Sequence, residues 1–266
     1  MKERLDVFLV NKKMYETRNK AQNAIESGDI KVDNKIITSS SFKVSENNKV
    51  EIVSNSLPYV SRGGLKLEKA LKVFNINCEN KIVLDIGAST GGFTDCCLQN
   101  KAKKVYALDV GENQLHESLK NDNRVISLEK TNFRNINIEE FKNYNIDLVV
   151  VDVSFISLSY IFENVSKILN KDKCLIALIK PQFETNKKEH NKNGVVNNPK
   201  IHFEVIKNVI SYANKYDLYL NKLDSSPIRG DKSGNIEYIS LFTFNKDNIC
   251  NENIKCVINN AFNKDI

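Results

Sequence analysis

Apolar positions recur first with helical and then with strand spacing over the opening fifty residues. Leu5, Phe8 and Leu9 share one face of a short amphipathic helix from Arg4 to Val10. Thr17 is placed to cap a second helix running to about Ser27, with Ala21 and Ile25 facing inward, and Gly28 ends it. Ile30 to Val32, a turn at Asp33-Asn34 and Val50 to Val53 read as a small sheet. The polar segment Ser54 to Ser61, with Pro58, reads as a linker.

Beyond it, strands and helices alternate. A helix fits Gly63 to Phe74. Strands fit Ile82 to Leu84, Val105 to Leu108, Val125-Ile126, Leu148 to Val151 and Leu175 to Ile179. Helices fit Gly92 to Gln99, Gln114 to Lys120, Leu158 to Leu169 and His202 to Tyr216, and late strands Leu218 to Leu223 and Tyr238 to Phe244. This alternation predicts an α/β domain with a parallel, doubly wound sheet, which binds ligands at the carboxyl ends of its strands. Thr185 to Lys200 reads as a mobile polar loop, and the residues after Asp247 are weakly patterned. The expected division is a small domain over 1–56, a linker over 57–62, a large domain over 63–246 and a C-terminal tail over 247–266.

Composition adds little to this picture. The 266 residues are 41% hydrophobic and 27% charged, with a formal charge of +6 that fits a polyanionic partner without demanding one. The six cysteines form no Cys-x-x-Cys pair and the three histidines are scattered, so no metal is expected and the thiols read as small buried hydrophobes. The N-terminus has no apolar signal core and no window spans a membrane, which predicts a cytoplasmic protein without a membrane partner.

Val83 to Phe93 (Val-Leu-Asp-Ile-Gly-Ala-Ser-Thr-Gly-Gly-Phe) combines a strand, a glycine-rich turn and a helix start, a layout that suits a dinucleotide or an adenosyl ligand. Asp85 places a carboxylate at the loop mouth, which repels a pyrophosphate and tolerates a sulfonium and an amine. Asp109 ends the next strand, where it can bond ribose hydroxyls. The competing reading is a plain strand–loop–helix turn. Asp152 and Lys180 end two more apolar strands, Glu237 opens a late one, and Lys66 lies on the helix after Gly63-Gly64. Charges at buried strand ends are costly unless paired or used. Two lysines and two acids suit methyl transfer to a ribose 2′-hydroxyl, in which a lysine of lowered pKa takes the proton. Two ordinary salt bridges are the alternative. Base-carbon methylation usually needs an activated cysteine, which no motif supplies. The Asn/Asp-Pro-Pro-aromatic signature of exocyclic-amine methyltransferases is absent.

Ser61 to Leu67, Asp85 to Asp95, Asp152 to Ser157, Lys180 to Glu184 and Gly234 to Glu237 together resemble the TlyA family of ribosomal RNA methyltransferases. These have an FtsJ-like catalytic domain and were historically labelled haemolysins. The resemblance implies a Rossmann-like methyltransferase sheet preceded by a small α+β RNA-binding domain. It also implies 2′-O-methylation of cytidine in ribosomal RNA, with S-adenosyl-L-methionine as donor. The family's catalytic Lys-Asp-Lys-Glu tetrad falls on Lys66, Asp152, Lys180 and Glu237. Donor-binding positions would be Asp85, Gly87, Ala88, Ser89, Gly91, Gly92, Phe93, Asp109 and Val110, with Asn132 added from the segment Glu129 to Phe133. Arg4-Leu5-Asp6, Thr17 to Ala21 and Gly28 to Val32 resemble the S-four-type RNA-binding domain, which makes Arg4, Arg18, Lys20, Lys31 and Arg62 candidates for RNA contacts. Leu57-Pro58-Tyr59-Val60 departs from the Arg-x-Trp-Val linker of some members. The short N-terminus and unmatched tail point to the form that modifies the large subunit alone. The competing functions are a non-catalytic ribosome-assembly factor and, with less support, a membrane-active haemolysin.

Overall fold

A computed structural model describes residues 2–52, 57–230 and 234–263, with the side chains of Asn23, Glu26 and Ser27 left aside. Two compact units meet in sequence at Arg62 and Gly63.

The N-terminal unit begins with β1 (Glu3–Arg4), α1 (Leu5–Asn11) and α2 (Arg18–Ser27). Arg4 belongs to β1, not to the helix, because Glu3 and Arg4 pair with Val44 and Lys43 of β4 (Lys43–Val44). Thr17 caps α2 by accepting from the Lys20 amide, and left-handed Gly28 closes it. The sheet places β2 (Ile30–Val32) between β3 (Lys35–Ile36) and β5 (Val50–Ile52), all antiparallel. The β2–β3 turn needs positive φ at both central residues, and Asp33 and Asn34 supply it at +50° and +68°. Leu5, Phe8, Leu9, Ala21, Ile25, Ile30 and Val32 form the core. Val53 and the linker positions 54–56 lie outside the described residues.

The second unit contains α3 (Gly63–Phe74), β6 (Ile82–Ile86), α4 (Gly92–Gln99), β7 (Lys104–Leu108), α5 (Glu117–Lys120) and β8 (Val125–Leu128). It continues through α6 (Ile138–Lys142), β9 (Leu148–Val151), α7 (Ser159–Ile168), β10 (Cys174–Ile179) and α8 (Pro181–Glu184). The last elements are α9 (Pro199–Asn214), β11 (Tyr219–Ser225), β12 (Tyr238–Thr243) and α10 (Asn251–Asn263). The sheet order is β11-β12-β10-β9-β6-β7-β8. Strands β6 to β10 run parallel, while β12 is antiparallel to both its neighbours. Every residue of β9 and β10 is buried, as expected of parallel strands covered on both faces. Strand order reverses between β6 and β9, which opens the crevice outside their carboxyl ends.

Several expectations need correction. The helix expected from Gln114 begins only at Glu117, because His116 accepts from the Ser118 amide and caps it there. The tail contains α10, whose Ile254, Ile258 and Ala261 are buried in the main core. The loop before α9 is tied down: Val196 is buried, its N–H donates to Asn235 Oδ1 (3.0 Å), and its carbonyl lies 2.8 Å from His202 Nε2. Cys78, Cys96, Cys97 and Cys174 are buried as expected, but Cys250 and Cys256 are exposed.

Candidate active site

Four charged side chains from distant parts of the chain converge at the carboxyl ends of β9 and β10. Lys66 on α3 lies 2.7 Å from Glu237 Oε2 and 3.6 Å from Asp152 Oδ2. Lys180 lies 2.5 Å from Asp152 Oδ1 and donates to Ser154 Oγ at 3.1 Å. One carboxylate therefore bridges both ammonium groups. Burial alone would raise the Asp152 pKa, but Lys66 and Lys180 outweigh it and hold the carboxyl below its usual range. Lys66, Lys180 and Glu237 are themselves buried, so pairing is what makes their charges tolerable. Gln182 donates to the second Glu237 oxygen at 3.3 Å. The segment carrying Glu237 is fixed from behind: His202 Nδ1 lies 2.7 Å from the Tyr238 hydroxyl, and burial lowers the His202 pKa.

The glycine-rich turn follows β6. Gly87, at φ +85°, passes so close to β9 that a Cβ there would sit 2.6 Å from the Asp152 carbonyl oxygen. Gly91 is held at φ +95°, which strains any side chain there, and a Cβ would also push aside the Leu119 and Leu115 methyl groups. Asp85 is not at the loop mouth. Its strand continues to Ile86, so its carboxyl is fully buried, with Oδ2 accepting from Thr94 Oγ1 at 2.7 Å and Oδ1 without a hydrogen bond. Burial pushes its pKa up to about 7. Asp109 accepts from the Ser89 amide (2.8 Å) and the Gly111 amide (2.7 Å).

Of the expected donor-binding residues, Ala88, Ser89 and Asp109 line a small pocket beside this turn. Its remaining lining residues are Ala107, Gly111, Gln114, Leu115, Ser127 and Glu129, from the end of β7, the segment between β7 and α5, and the end of β8; of these only Glu129 lies in a segment singled out in the sequence. Gly92 and Phe93 are buried in the first turn of α4, and Val110 is exposed. Asn132 Oδ1 accepts from the Arg134 amide and caps the turn Phe133–Asn135. Phe155 lies in the motif Asp152 to Ser157 but was not among the expected site residues. It is 90% exposed at φ +64°, and its ring packs against Phe183 at 4.9 Å.

In the N-terminal unit, Arg4 and Arg18 both bond the fully buried Asp6, at 3.0 and 2.9 Å. Lys20 pairs with Glu16, Lys31 lies mid-strand in β2, and Arg62 is partly buried.

The FtsJ-like methyltransferase family matches residues 59–244, and the S4 domain matches residues 3–50. The chain belongs to the FtsJ-like methyltransferase family. This methyltransferase is 36% identical over 236 residues to the 16S/23S rRNA (cytidine-2′-O)-methyltransferase TlyA of Mycobacterium tuberculosis, covering 88% of this chain and 87% of the relative. It is 33% identical over 258 residues to the 23S rRNA (cytidine-2′-O)-methyltransferase TlyA of Campylobacter jejuni, covering 90% and 98%. Hemolysin A of Brachyspira hyodysenteriae is 45% identical over 239 residues, covering 90% and 99%. A solved structure from Streptococcus thermophilus that carries a hemolysin label superposes with a TM-score of 0.77 at 41% identity, covering 98% and 95%. The TlyA resemblance, the Rossmann-like sheet and the enzyme assignment all hold. Among the described residues no helix is long and apolar enough to cross a membrane.

Proposed function

We propose that this methyltransferase uses S-adenosyl-L-methionine to methylate the ribose 2′-hydroxyl of a cytidine in ribosomal RNA, with the large subunit as substrate. The observation that carries the reading is the buried Lys66–Asp152–Lys180–Glu237 cluster beside the glycine-rich turn.

The residues at the turn fit the donor. Asp85 offers a buried carboxylate oxygen with no hydrogen bond, suited to a cationic amine, and Gly87, having no Cβ, lets the turn lie directly against the Asp152 backbone. Both Asp109 oxygens keep lone pairs beyond their backbone bonds, suited to ribose hydroxyls. When bound, the donor supplies an electrophilic methyl group on a sulfonium.

The chain's own groups handle the proton. Lys66 is shared between Glu237 and Asp152, and Asp152 in turn contacts Lys180. In its neutral amine form Lys180 takes the 2′-hydroxyl proton on Nζ as the new O–CH3 bond forms and the S–CH3 bond breaks, and the ammonium so formed pairs with Asp152. Lys66 stays charged and stabilises the developing oxyanion. Phe155 gives an exposed aromatic face on which a base can stack. Arg4 and Arg18 keep further N–H groups for phosphates once Asp6 is satisfied. Both TlyA relatives carry 23S rRNA in their names, which favours the large subunit.

The test is transfer of radiolabelled methyl to unmodified small and large subunits, assayed separately. Wild type is expected to label the large subunit, and Lys180→Ala to lose about 100-fold or more in rate with donor affinity retained. No label on either subunit from folded, donor-binding protein overturns the assignment.

A further inference from the structure

Asp152, Ser154 and Phe155 lie on the turn that joins β9 to α7, and the conformation of this turn is not one its sequence adopts unaided. Phe155 has φ +64°, a left-handed geometry that costs a non-glycine residue about 1–2 kcal/mol. Something outside the turn must hold it. Lys180, the residue before α8, grips the near end at Asp152 and Ser154. Phe183 packs against Phe155 in the middle. Glu184 grips the far end: its Oε2 accepts from Ser157 Oγ at 2.6 Å and its Oε1 from the Leu158 amide at 2.7 Å.

We infer that Glu184 is a positioning residue for the reaction, locking the 152–158 turn so that Asp152 and Phe155 keep the geometry Lys180 requires. This rests on the methyl-transfer reading above. Glu184 meets none of the proposed reacting groups and acts through the turn. Leu158, which precedes α7, provides no side-chain cap, so the Glu184 carboxylate satisfies an amide at that helix start from another element. Among the described residues no lysine or arginine forms an ion pair with Glu184. Burial raises its pKa, opposed only by the Ser157 and Leu158 hydrogen bonds. The side chain thus sits at an electrostatic cost for which a solvent-facing position in a four-residue helix offers no reason.

The substitutions separate geometry from charge. Glu184→Ala releases both bonds. Glu184→Gln keeps an acceptor for the Leu158 amide and donates to Ser157 Oγ, whose own hydrogen turns toward Ser159 Oγ at 2.9 Å. The experiment compares wild type with both variants in kcat and KM on unmodified subunits, in donor binding by calorimetry, and in hydrogen exchange across residues 152–158. Glu184→Ala is expected to lower kcat about 10- to 100-fold, the penalty of a misplaced group, with donor Kd within about threefold and exchange of the turn about tenfold faster. Glu184→Gln is expected to recover most of both. If Glu184→Ala does not fold, Glu184→Gln and Ser157→Ala carry the comparison, with only Ser157→Ala loosening the turn. Wild-type kcat in Glu184→Ala, or a loss matched by equal losses in donor affinity and thermal stability, overturns the inference. An inactive wild type would instead sink the methyl-transfer reading. The positioning role falls with it, whereas with an active wild type unchanged protection of the turn in Glu184→Ala refutes the inference alone.

Discussion

Asp85 sits one residue from the end of β6, with one carboxylate oxygen on Thr94 and the other unbonded. Burial raises its pKa from 3.8 to about 7. A folded value above the unfolded one means that its stabilising contribution is complete below pH 3.8 and is lost as pH rises through about 7. A rise of that size corresponds to about 4 kcal/mol. The donor-free protein should therefore melt at lower temperature at pH 8 than at pH 5 by more than Asp85→Asn does, and parallel melting curves would show that the carboxyl is not the cause. Asp152 and Lys180 were legible as a site because each ends a wholly apolar strand. The depth of Asp85 was misjudged because the apolar run breaks at its own position, so the strand was ended two residues early, at Leu84 instead of Ile86. Phe155 and Glu184 lie within the motifs Asp152 to Ser157 and Lys180 to Glu184, but their roles were not legible there, since a left-handed φ and a carboxylate cap across two elements exist only once β9 and β10 lie side by side.

The same limit applies to whole elements. Strands of the large sheet were readable to within a few residues because long apolar runs have few alternatives. Strands β1, β3 and β4 have two residues each and acquire identity only through a partner. Helix α10 was missed because the buried Ile254, Ile258 and Ala261 form a narrow stripe in a segment rich in asparagine. It packs on α9 and β11, and Ile258 is 2% exposed. Ile258→Ala is expected to lower unfolding free energy by about 2–4 kcal/mol in urea titrations, whereas a tail lying free in solvent would show no change.

At the scale of the molecule, the division into two units assigns separate tasks. All four clustered charges and every residue lining the pocket beside the glycine-rich turn lie beyond Gly63. A fragment of residues 63–266 should fold, bind S-adenosyl-L-methionine with about the full-length affinity, and lose about tenfold or more in kcat/KM on ribosomal subunits, since phosphate contacts dominate RNA affinity. Full activity of the fragment would remove the S4 domain from the reaction.

The position of β12 bears on truncation. This strand is inserted between β10 and β11, and Glu237 immediately precedes it. A gene with a stop codon ahead of that point encodes a chain that keeps the glycine-rich turn and both lysines but leaves Lys66 without its 2.7 Å partner. It also leaves β10, six buried apolar residues long, with an open edge. Such a product is expected to self-associate through that edge, which its sedimentation against that of the full-length chain would show.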